Sequence, residues 1–105
     1  MEILISKTME IARQHFGGFG FNEDQIAKLL ESGNRDLEIE LSTLQELLQQ
    51  ENYNLEDIDF SLHALKGLLM NMGNVDVANK LNELRQEKAK NDTIDIDAIK
   101  ASLYL

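Results

Sequence analysis

The sequence predicts an all-α protein: an antiparallel four-helix bundle with an accessory N-terminal helix or helices. Three observations carry that reading. The chain has no proline and is rich in Leu, Glu, Gln and Lys, which helices accommodate at little cost. Apolar residues recur at spacings of three and four in one segment after another, and nowhere does a strand-like alternation run for any length. The breaks between these segments are short, which makes consecutive helices antiparallel neighbours. At 105 residues the chain is long enough for one domain and too short for two. It divides into an N-terminal helix with a Gly/Phe turn (1–21) and the bundle itself (22–105).

Residues 2–16 form the first amphipathic segment, with Ile5, Met9, Ala12 and Phe16 on one side and Ile3, Leu4 and Ile11 widening the apolar surface. The stretch FGGFGF (16–21) breaks it, and the phenylalanines are expected to fold back onto the bundle as a packed turn. Asn22 begins the next helix: its side chain caps, Glu23 and Asp24 suit the positive end, and Gln25 stands at the capping-box position. Ile26, Leu29 and Leu30 make its apolar face. Ser32-Gly33-Asn34 is expected to end or bend this helix, although one continuous helix stays open because an isolated glycine costs only about 1 kcal/mol.

The following helix covers 35–51, with Leu37, Leu41, Leu44 and Leu48 as its seam. Asn54 caps a central helix over 55–72, where Ile58, Leu62, Leu65, Leu69 and Met72 make an unbroken stripe. Gly73 ends it as a left-handed cap, and Asn74 starts a helix over 75–90 with Val77, Leu81 and Leu84 inward. After the loop at 91–93 a short helix from 95 buries Ile96, Ile99 and Leu103.

A formal net charge of −9 opposes binding to nucleic acid or to an anionic membrane surface, whose charges it would repel. Cysteine is absent, so there is no disulfide, no thiolate nucleophile and no cysteine-based zinc site. No apolar run approaches the ~18 residues that span a bilayer, and the N-terminal stretch lacks a signal peptide's charge order and cleavage site. A monomeric cytoplasmic protein is the expectation. No Walker loop, kinase glycine loop or Mg²⁺-binding carboxylate set is present, so the chain is expected neither to bind a cofactor nor to act alone as an enzyme.

The chemistry gathers on the central helix. At about 100° per residue, His63 lies about a quarter-turn from the middle of the core stripe, with Asp59, Lys66, Gly67 and Met70 on its side. Neutral imidazole is a nucleophile near neutral pH. Moving a phosphoryl group is mostly positioning plus cationic stabilisation, which a lysine one turn away supplies. A glycine beside the histidine weakens the helix, and room for a phosphoryl group is the reason it invites.

His63-Ala64-Leu65-Lys66-Gly67, with Gly73 ten residues after the histidine, resembles the histidine-phosphotransfer (HPt) signature of two-component phosphorelays. The likeness covers about 22–90 and is specific at five positions. It implies an antiparallel four-helix bundle in which His63 is the phosphoacceptor, Lys66 the electrostatic helper and Gly67 the clearance residue. It also implies partners: a response-regulator receiver domain, which supplies Mg²⁺ and most of the catalysis, or a sensor histidine kinase. Asp59 and Met70 then belong to the docking face. Two places depart from the family pattern. Leu68 and Leu69 stand where small residues are usual, and Arg85 stands where a glutamate often orients the histidine. Asp59, at i−4, is a candidate to take over that orienting bond.

Each residue also has a plainer reading. His63 is a boundary histidine, Lys66 a solvated lysine, Gly67 a close helix contact, or Asp59 and His63 a metal pair. His15, in the last turn of its helix, is read as favouring the helix's negative end. The alternative at the level of function is an HPt-like adaptor that binds a receiver or kinase without being phosphorylated.

Overall fold

The computed structural model describes residues 1–105. It contains five helices and no strand: α1 (Glu2–Gly17), α2 (Glu23–Leu48), α3 (Leu55–Asn71), α4 (Val75–Asn91) and α5 (Ile96–Leu103). Contacts pair rising residue numbers on one helix with falling ones on the next. Glu56 and Asp59 of α3 meet Lys88 and Arg85 of α4, and Met1 and Arg13 of α1 meet Ser42 and Glu23 of α2. The molecule is 45 Å long because α2, with 26 residues, alone spans ~39 Å.

The helix ends are set locally. Asn22 accepts from the Gln25 amide while Gln25 reaches back to the Asn22 amide, so the capping box is complete. Asn54 and Asn74 cap α3 and α4 by accepting from Asp57 and Val77, and Asp95 caps α5. Gly73 adopts a φ of +87°, the left-handed turn between α3 and α4.

The leucine seams meet as one core. Leu37, Leu41, Leu44 and Leu48 of α2 pack with Ile58, Leu62, Leu65 and Leu69 of α3, Val77 and Leu81 of α4, and Ile99 and Leu103 of α5. Leu4 of α1 belongs to the same cluster, so the N-terminal helix shares the bundle's core.

Three local expectations are corrected. First, α2 runs unbroken through Ser32-Gly33-Asn34. Gly33 is buried, and a Cβ there would lie 2.6 Å from Met72 Cε, so the glycine lets α3 approach α2 without interrupting the helix. Second, α1 turns Leu4, Thr8 and Ala12 inward, while Ile5, Met9 and Phe16 are half-buried and Ile3 and Ile11 exposed. Small side chains bring α1 close, and the buried Thr8 hydroxyl accepts from Asn74 Nδ2 at 3.0 Å. Third, Phe19 and Phe21 do not fold onto the bundle. They remain exposed and pack edge to face with His15 and Phe16.

Candidate functional site

The core stripe of α3 fixes its rotation. With Ile58, Leu62, Leu65 and Leu69 inside, His63 is directed outward on the flank shared with α4. Polar side chains cross-link this flank. Lys88 of α4 pairs with Glu56, Arg85 pairs with Asp59, and Lys66 Nζ donates to Asn82 Oδ1 at 3.0 Å. The Glu56 hydrogen bond, aided by the charges of Glu56, Asp92 and Asp59, outweighs partial burial and holds Lys88 above its usual pKa.

Arg85 organises the centre. Its Nε donates to Asp59 Oδ1 at 3.0 Å and its Nη2 to Oδ2 at 3.5 Å, a fork on one carboxylate. Its Nη1 donates to His63 Nδ1 at 2.8 Å. Both members of the ion pair are half-buried, their side chains 27% and 22% exposed. Asp59 therefore acts on His63 through the guanidinium that it holds. That cation bridges Asp59 and His63.

Gly67 has open space where a side chain would stand: a Cβ would meet nothing within 4 Å. Close helix packing is thus not its reason. Lys66 sits one turn from His63 but leans to Asn82, half-buried, and is not simply solvated. Met70 is 37% exposed on the same side of α3, and Phe60, one turn before His63, is 75% exposed.

Sequence reasoning missed Arg85 as the direct partner of His63 and Asn82 as that of Lys66. A signal existed. Leu81 of α4 is fully buried, and Arg85, four residues on, occupies the same side one turn later. Its neighbours Glu83 and Gln86 are exposed and make no hydrogen bond to the histidine.

His15 stands in the last turn of α1, as expected, and has a second role there. It is half-buried and packs over the α3–α4 turn, where a Cβ on Gly73 would lie 2.6 Å from its ring. No helix of the protein is long and apolar enough to cross a membrane. In comparisons with known proteins, the chain matches no family model, no curated protein and no solved structure.

Proposed function

We propose that this protein is a histidine-phosphotransfer carrier that exchanges a phosphoryl group between His63 and the aspartate of a response-regulator receiver domain, or accepts it from a histidine kinase. One observation carries the reading. His63 is exposed beside a glycine with empty space around it, and two cationic side chains, Arg85 and Lys66, flank it. In that reading the five helices form an HPt-type four-helix bundle with α1 as the accessory helix. An imidazole nitrogen attacks phosphorus, the P–O bond to the receiver's aspartate breaks, and its electron pair returns to that carboxylate. The receiver supplies the Mg²⁺, and Arg85 and Lys66 offset charge on the phosphoryl oxygens. The carrier binds no cofactor of its own and acts as a cytoplasmic monomer. The exposed Phe60 and Met70 give the docking face an apolar component, with Asp59 at its edge.

Incubation with a phosphorylated receiver and Mg²⁺ tests this. The label should appear on His63, survive alkali and be lost in acid. A second reading, an adaptor that binds the receiver or kinase without being phosphorylated, is favoured by the hydrogen bond from Arg85 to Nδ1. Stable receiver binding with no label on His63 selects it.

A further inference from the structure

We infer that, at rest, Arg85 masks His63: it holds the ring in the tautomer whose proton is on Nε2, and its Nη1 is drawn off by the phosphoryl group itself. Neutral imidazole has a single ring-nitrogen lone pair in its plane, the other nitrogen carrying the proton. Arginine only donates, and its Nη1 stands 2.8 Å from Nδ1, so the lone pair is on Nδ1 and is already engaged. Nε2 carries the proton and cannot attack. A ring with a proton on Nδ1 would turn one donor towards another and lose this bond. The resting histidine is therefore exposed to solvent yet has no free nucleophilic nitrogen.

Asp59 makes the arrangement durable. Its carboxylate takes Nε and Nη2, leaving Nη1 as the part of the fork directed at the ring. The other charged groups of this flank are engaged elsewhere, Lys66 with Asn82 and Lys88 with Glu56, and neither competes for Nδ1. A phosphoryl oxygen is a stronger acceptor for guanidinium than an imidazole nitrogen. This step rests on the phosphocarrier reading. The arriving acyl phosphate takes the Nη1 donor, and water removes the proton from Nε2 and delivers one to Nδ1. The freed Nε2 lone pair then attacks phosphorus. The acyl P–O bond breaks, its electrons go to the receiver carboxylate, and the Nδ1 proton stays on the ring. Arg85 changes from mask to phosphoryl ligand without leaving Asp59.

The test separates masking from phosphotransfer. Nitrogen-15 NMR of the intact protein should show His63 with an unprotonated, hydrogen-bonded Nδ1 and its proton on Nε2. A proton on Nδ1 overturns the inference, whatever any variant does. Diethylpyrocarbonate, which acylates a free imidazole nitrogen, should modify His63 slowly. Arg85→Ala and Arg85→Met, both compatible with a helix, should raise that rate roughly tenfold, the expected effect of removing one charge-assisted hydrogen bond. His15 is the internal reference and should keep its rate. Equal His63 rates in wild type and folded variants overturn the inference. If the variants are acylated faster but a phosphorylated receiver with Mg²⁺ never labels His63, the carrier reading falls while the masking by Arg85 stands.

Discussion

Both histidines of this protein sit beside a glycine, and the two neighbourhoods are opposites. At the α3–α4 turn, Gly73 is required twice. Its φ of +87° is costly for any side chain, and the His15 ring occupies the place where a Cβ would be. There the histidine is a packing residue, half-buried against Phe16 and Phe19, with α1 tied to the same turn by Thr8 and Asn74. On α3, Gly67 has no such duty. It is an ordinary helical residue surrounded by open space, and its histidine reaches outward to a guanidinium. Neither the backbone nor the packing needs this glycine, in a helix that it weakens, and the proposed phosphoryl clearance rests on that contrast.

The largest effect that could break this contrast is at the histidines themselves. His63→Gln should abolish phosphoryl labelling, while His15→Gln should leave it intact. Labelling of the His63→Gln protein at the wild-type level would erase the distinction. Next, Gly67→Leu should block transfer from a phosphorylated receiver yet raise helix stability by about 0.7 kcal/mol, because leucine is the better helix former and a Cβ there meets nothing within 4 Å. Transfer at the normal rate in that variant would remove the clearance argument. Gly73→Ala should do the reverse, lowering stability by about 2 kcal/mol through the left-handed backbone and the His15 contact. A denaturant titration showing no loss would mean that the turn relaxes freely.

Two smaller effects sharpen the picture of the α3–α4 flank. Lys66→Ala should slow transfer roughly tenfold, as for one lost charge-assisted contact, while costing about 1 kcal/mol or less, the worth of its bond to Asn82. Single-turnover kinetics alongside a thermal melt would separate the two. Lys88 titrates higher folded than unfolded, so its contribution is fully present below the ordinary lysine pKa and is lost as pH rises through the folded value. The stability gap between wild type and Lys88→Met should therefore be constant through neutral pH and shrink only in strong alkali. A gap that shrinks on acidification within the neutral range would contradict the Glu56 pairing.

The chain announced its helix ends and its core. Asn22, Asn54 and Asn74 each bond an amide three residues away, and Gly73 turns the chain by its own backbone freedom, so these signals are complete within one turn of sequence. The stripe from Ile58 to Leu69 likewise fixes which side of α3 faces solvent, and this made the flank of His63, Lys66 and Gly67 legible. Local information failed where a second element decided. The Ser32-Gly33-Asn34 stretch reads as an end, a bend or a continuous helix, and its sequence does not show that Met72, at the end of α3, packs against Gly33. The inward face of α1 carries Thr8 with Leu4 and Ala12, and the buried partner of that hydroxyl, Asn74, comes from 66 residues away. Arg85 read as a departure from an expected pattern, yet the register of α4 against α3 brings it to Nδ1 of His63 and both oxygens of Asp59. Periodicity and caps are properties of one helix and can be read along the chain. The register and closeness of two helices depend on how their side chains interlock, so tertiary packing alone decided what touches the histidine.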